Sequence, residues 1–271
     1  VGEVPNRADA RTAGADIVCS CGEAVRNCAF WRRTFSRVEG SGVKNAAACW
    51  ANNYGYRQSV LHKVLGVHRC GWKGRLQVLA DRCLPIHRRR VRECDRVNVA
   101  FVRSVLEERA ASVFFDASKR LRRLARMLRT PQFDVRVIRV LRDARAYANS
   151  MKRHQVDPRT AARQWASYQA AADELLATMD RSRVLIVRYE DVCGNPSAQL
   201  PAILDFLGVR PCELPLTVIP REHHVIGNRI RLSDKLELRV DERWRTMLDP
   251  AESAEVERIV SGVHQRFGYQ N

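Results

Sequence analysis

Long apolar runs are missing from this 271-residue sequence. No stretch of about eighteen apolar residues occurs, so no membrane-spanning helix is expected. The opening VGEVPNRADARTAG has no apolar core of a secretory signal. Internal repeats and low-complexity tracts are absent as well, which excludes solenoid and fibrous classes. Lysine is scarce: it supplies six of the 47 basic residues, and arginine supplies the rest. The first residue is Val rather than Met, so the chain is expected to begin inside a longer coding sequence.

What is present is charge of one sign. The formal net charge is +17, and a surface this basic attracts polyanions. Arginine adds a planar fork suited to phosphate and sulfate. Most of these residues read as a solvated surface, because charge alone names no partner. The length fits one large α/β domain or two small ones, and a hydrophobic fraction of 45% is enough for a substantial core. Nine cysteines occur. Without a secretory signal they are expected to be free thiols in a reducing, cytoplasmic setting.

The first ninety-odd residues are weakly patterned and read as irregular structure with helices. Regularity begins near Asn98. Segments 98–110, 119–129, 144–153 and 160–179 read as helices. In the last of these Trp165, Tyr168, Ala172, Leu175 and Met179 recur at spacings of three and four. Runs 112–115 (SVFF), 135–141 (VRVIRVL) and 184–187 (VLIV) read as strands. A helix over 196–207 stops at Gly208. A last helix starts with Asp249 as N-cap and Pro250 in its first position, with Val256, Ile259, Val260 and Val263 facing inward. Short apolar strands alternating with helices predict a parallel sheet with helices on both faces. Ligands of such folds bind where strands end and helices begin, so residues 116–119, 142–145 and 189–191 are the ones to inspect.

The second strand ends in Arg142-Asp143-Ala144-Arg145, and Ser150 lies about two helical turns beyond. Arg142 and Ser150 can converge on one phosphate, the first with charge and a fork, the second with a fixed hydroxyl. The plainer reading is a local ion pair and a serine bonded to its own turn.

Five ordered segments carry a resemblance. VRVIRVLRDARAYANSM resembles the strand–turn–helix of sulfotransferases that use 3′-phosphoadenosine-5′-phosphosulfate (PAPS), with Ala144 where proline is usual. LIVRYEDVCGNPSAQLPAILDFLGV, SVFFDASK, HHVIGNRIRL and CSCGEAVRNCAFW are similar to further segments of that family, the last two to its bacterial and carbohydrate branch. The resemblance implies an α/β fold in a single domain spanning residues 1–271: a P-loop-NTPase-like parallel sheet flanked by helices, here lacking its first strand. It also implies transfer of a sulfuryl group from PAPS to a hydroxyl or amine acceptor, carbohydrate among them. Arg142 and Ser150 would hold the 3′-phosphate. His224, Gly227, Asn228 and Arg229 would line the cofactor site, with Arg231 beside them. Lys119 would place positive charge on the bridging oxygen during in-line transfer. Glu3 would act as the base for the acceptor, with His223 and His224 as alternatives. Adjacent Glu190 and Asp191 read as structural, with Tyr189 against the cofactor loop.

No metal is expected. Cys19, Cys21 and Cys28 have the side-chain chemistry to ligate zinc, but the spacing C-x-C-x6-C offers no second half-site, and free structural thiols are the preferred reading. The family's loop of the type Pro-x-Ser-Gly-Thr-Thr, whose amides hold the 5′-phosphosulfate, is not found. The expectation is an N-terminally truncated fragment. The alternative function is a non-catalytic basic protein binding nucleotide or nucleic acid, motivated by the six basic residues of 119–129. No specific nucleic-acid motif supports it. A P-loop nucleotide kinase is disfavoured by the missing Gly-x-x-x-x-Gly-Lys-Ser/Thr loop.

Overall fold

In a computed structural model of the chain, the residues described are 18–47, 79, 83, 85–210, 217–218, 223–225, 232 and 236–269. They fall in two compact units, Val1–Asp134 with Thr217–Leu236, and Val135–Leu216 with Glu237–Asn271. No helix among them is long and apolar enough to cross a membrane.

The first unit is helical. Helix α1 (Ala29–Gly40) turns Phe30, Trp31, Thr34 and Val38 inward. Helix α2 (Pro85–Glu108) answers with Val97, Phe101, Val102 and Val105. Trp31 and Phe101 lie nearly parallel, 6.2 Å apart. Truncating either ring would cost about 3–5 kcal/mol. Short α3 (Leu121–Met127) is pinned to α2 by guanidinium forks. Arg126 binds Asp95 and the Val91 carbonyl, and Arg123 binds Asn98.

Residues 113–120, which include most of the expected strand SVFF, form no ladder. Val113 and Phe115 are exposed. An apolar run becomes a strand only where another backbone pairs with it, and none of the described residues does so. The helix expected from Asn98 begins thirteen residues earlier, at Pro85.

The second unit is the α/β part. Strand β1 (Val137–Leu141) pairs in parallel with β2 (Val184–Arg188), in a register running from Val137↔Val184 to Leu141↔Arg188. A parallel pair needs a long crossover, supplied by α4 (Ala144–Lys152) and α5 (Pro158–Leu176). This is the α/β class expected. Next come α6 (Tyr189–Gly194), α7 (Pro196–Leu207), α8 (Trp244–Met247) and α9 (Pro250–Arg266). Ala144, Ala148, Ala161 and Ala162 let α4 and α5 approach closely, and Trp165, Val256 and Val260 complete that core.

Local chemistry sets the boundaries. Asp157, Asn195 and Asp249 cap α5, α7 and α9, each followed by proline. Glu252 completes a capping box with Asp249. Gly208 ends α7 at φ 68, a conformation that glycine adopts without strain. One expected face is rotated. Tyr168 of α5 is 42% exposed, and Gln169 is buried in its place. Gln169 Oε1 accepts from Arg139 Nη2 at 2.9 Å, and buried Arg139 also pairs with Asp173. A mid-strand guanidinium thus draws the polar side chain inward.

Candidate functional site

The end of β1 and the start of α4 form the best-defined polar site. Asp143 caps α4 by accepting from the Arg145 N–H at 2.7 Å. Its carboxylate is also clamped by the Arg145 guanidinium, 2.7 Å from Nη2 to Oδ2. The Asp143 N–H donates to Glu190 Oε1 at 3.0 Å, and the Tyr269 hydroxyl donates to Glu190 Oε2 at 2.9 Å. The Ala144 N–H donates to His264 Nε2. The N-cap amide and the first two amides of α4 are therefore committed, so an anion here would depend chiefly on side chains.

Arg142 is the side chain so placed. Its guanidinium lies over the Tyr189 ring, 4.9 Å from the centroid. The β1–β2 register explains this: Leu141 pairs with Arg188, so the next residue of each strand lies side by side. Arg142 Nη2 donates to Asp241 Oδ2 at 3.2 Å, while its buried Nε has no partner among the described residues. Asp241 is bound more closely by Arg243, with two contacts of 2.8 Å. Those hydrogen bonds, outweighing burial and joined by the charges of Arg243 and Arg142, hold its carboxyl far below the ordinary carboxylate range. Arg142 is thus oriented by a ring and one carboxylate, with part of its fork uncommitted among the described residues. Burial raises the Tyr189 phenol, so it stays protonated at neutral pH.

Ser150 lies six residues into α4, partly buried, and its Oγ accepts from Arg153 Nη2 at 3.4 Å. Arg142 and Ser150 therefore share one strand–turn–helix. Lys119 and His224 belong to the other unit. The Lys119 backbone takes φ 56, a left-handed conformation that costs a non-glycine residue energy and is found disproportionately at functional positions. It follows a turn made by Asp116, which accepts from the Ser118 N–H at 2.9 Å and pairs with Arg123. His224 exchanges hydrogen bonds with Ser20: its carbonyl accepts from the Ser20 N–H at 2.8 Å, and its own N–H donates to Ser20 Oγ at 2.9 Å. Glu3, Gly227, Asn228, Arg229 and Arg231 lie outside the described residues.

Two partners, Asp241 and His264, lie outside the residues that the sequence pattern singled out. Asp241 sits 99 positions from Arg142 with no motif around it. His264 continues the Val256–Val260 spacing of four, a signal that was available and outweighed by its polarity. Glu190 is used for architecture, and Asp191 pairs with Arg188 at 3.7 Å.

Residues 81–213, just under half of the chain, match the model of the sulfotransferase family. The stretch contains Lys119, Arg142, Ser150 and Tyr189. Among solved structures the chain is similar to a sulfotransferase domain from the curacin biosynthetic pathway, at 19% identity and a TM-score of 0.43, covering 64% of this chain and 73% of that one. It is also similar to a sulfotransferase domain from the Synechococcus PCC 7002 olefin synthase, at 19% identity and a TM-score of 0.43, covering 78% and 80%. No curated protein matches the chain.

Proposed function

We propose that the chain transfers a sulfuryl group from PAPS to a hydroxyl or amine acceptor, with carbohydrates, lipids and small molecules as the candidate classes. The observation that carries this reading is Arg142: a half-buried guanidinium at the end of a parallel strand, stacked on Tyr189, with an unpartnered Nε among the described residues. Arg142 and Ser150 would hold the 3′-phosphate. The reading takes β1–α4–α5–β2 as part of a P-loop-NTPase-like sheet within a single domain.

In the transfer, the bond from sulfur to the phosphate's bridging oxygen breaks as the acceptor's bond to sulfur forms. Charge builds on the bridging oxygen, where Lys119 would stabilise it. The acceptor's proton must leave to a base, and Glu3 is the assigned group. His224, Gly227, Asn228 and Arg229 would line the nucleotide. A cytoplasmic setting and no resident metal in the transfer step complete the proposal.

Titration calorimetry with 3′,5′-diphosphoadenosine tests it. Micromolar binding is expected. Arg142→Ala should weaken it about 30- to 100-fold, the loss of one charge-assisted fork. Arg142→Lys should recover only part of this, because lysine keeps charge but not the fork or the stacking. Equal affinity of wild type and Arg142→Ala would overturn the assignment.

The nucleic-acid alternative loses support from the helix that motivated it. Of its six cations, Arg123 and Arg126 are already committed to Asp116, Asn98 and Asp95. Binding to DNA of any sequence that falls steeply with salt would favour it again.

A further inference from the structure

We infer that Cys19, Cys21, Cys28 and His223 form a structural zinc site. This departs from the expectation of free thiols and no metal, and it stands independently of the sulfuryl-transfer reading.

The ligand atoms converge from three separate pieces of chain. Cys19 and Cys21 lie in a tight turn. Val18 and Ala24 form an antiparallel bridge, the Cys19 N–H donates to the Glu23 carbonyl at 2.8 Å, and the Gly22 N–H donates to the Cys19 carbonyl at 2.9 Å. Gly22 turns the chain at φ 93, which glycine alone tolerates readily. Cys28 occupies the N-cap position of α1 but makes no side-chain cap bond. Its sulfur points instead toward the other two. His223 comes from about 195 residues away and supplies the ligand that the sequence spacing lacked.

The distances fit one ion. Zinc binds sulfur at about 2.3 Å and imidazole nitrogen at about 2.0–2.1 Å, so a tetrahedron has edges of about 3.8 Å between sulfurs and about 3.6 Å from sulfur to nitrogen. Cys21 and Cys28 are 3.6 Å apart, and Cys28 and Cys19 are 3.8 Å apart. His223 Nδ1 is 3.6 Å from Cys19 Sγ and 3.3 Å from Cys28 Sγ. All four ligand atoms lie within 4.8 Å of one another. These sulfur separations are far longer than the roughly 2.05 Å of a disulfide, and none of the three cysteines is in one.

His223 is held in place for this role. Its ring stacks on Phe30, 4.7 Å between centroids and 5° from parallel. Its backbone takes φ 59, a strained conformation for a non-glycine residue that persists only where surroundings impose it. The Ser20–His224 hydrogen-bond pair fixes the same segment against the cysteine turn.

Three thiolates and one imidazole make a soft set that selects zinc over magnesium or calcium. Four protein ligands leave no open position, so the ion is structural rather than catalytic. Each thiol gives up its proton to solvent as the metal enters. The ion would tie the cysteine turn, the start of α1 and segment 223–225 into the first unit, where Cys19, Cys28 and Val225 already share one core cluster.

The test is elemental analysis of the whole chain, purified without chelator or polyhistidine tag. One zinc per chain is expected. Replacement by Co²⁺ should give the visible bands of a tetrahedral site and a thiolate charge-transfer band. Cys28→Ser and His223→Ala should each lose the metal, whereas His223→Cys should keep it with an altered cobalt spectrum. Should Cys28→Ser fail to fold, the wild-type stoichiometry and cobalt spectrum decide by themselves. Folded wild-type protein with well under one metal per chain and no cobalt bands would overturn the site. So would a native mass lower by two hydrogens, which would mark a disulfide, or full zinc retention in both losing variants.

Discussion

The backbone N–H of Ala144 donates to Nε2 of His264 at 3.1 Å, and His264 is fully buried. On its other side, His264 Nδ1 lies 2.7 Å from Glu257 Oε2. The two partners assign the imidazole proton to Nδ1. Proline, which suits the first position of a helix, has no N–H to donate. The N–H of Ala144 has a dedicated acceptor four residues after Val260 on α9. An alanine at this position and the buried histidine are thus chemically matched.

Ala144→Pro would remove that donor. Leaving the His264 acceptor unsatisfied should cost about 1–3 kcal/mol. Proline at the first helical position offsets less than about 1 kcal/mol. The net expectation is a lower urea midpoint with an unchanged slope. The penalty should largely vanish in a His264→Phe background, where no acceptor remains. An undiminished penalty there would show that ring crowding against buried Ala148 and Trp165 is responsible instead.

On α5 the buried polar position is Gln169 rather than Tyr168. Gln169→Leu should cost about 1.5–3 kcal/mol, because Arg139 then loses a hydrogen bond to its charged fork. Tyr168→Ala, at an exposed position, should cost under about 1 kcal/mol. Chemical denaturation of the pair checks the orientation of the helix. Reversed magnitudes would mean that the helix turns its tyrosine inward.

Acid should weaken the first unit through Asp116. Burial pushes this carboxyl up, but the Arg123 charge and the Ser118 hydrogen bonds pull it down further, so its net shift is downward. A folded-state value below the unfolded one means stability that is present above the ordinary carboxylate range and lost as pH falls through the folded value. Asp116→Asn should destabilise by about 2 kcal/mol near neutrality, below the 3–5 kcal/mol of a fully buried pair. The gap from wild type should close as pH drops below about 4. Denaturation midpoints at several pH values measure this, and a gap independent of pH would remove the ion pair as the cause.

The sequence was most readable where structure is local. Asp249, Pro250 and Glu252 specify the start of α9 within four residues, and Gly208 specifies the end of α7. The β1–α4 and β2–α6 junctions were visible because each apolar run ends in a polar cluster. Other features depend on distant partners. SVFF has strand composition but no ladder among the described residues, and composition cannot supply a neighbouring backbone. Gln169 is buried because Arg139, thirty positions earlier, needs an acceptor. The three cysteines looked incomplete because their companion, His223, is far along the chain. In the candidate site, the placement of Arg142 at a strand end and of Ser150 in the following helix was legible from pattern, and Tyr189 was expected against that loop, whereas Asp241 beside Arg142 comes from a distant loop.

Glu190 reaches in two directions, to the Asp143 amide and to the Tyr269 hydroxyl, while Arg188 Nη1 donates to the Gly268 carbonyl at 2.9 Å and its guanidinium lies over the Tyr269 ring. The few residues after α9 therefore act as a buttress under the tips of both strands. A protease nick or a deletion just before Gly268 would leave every helix intact, yet it would unseat the platform on which Arg142 rests. Damage just after α9 would be felt at the Arg142 guanidinium.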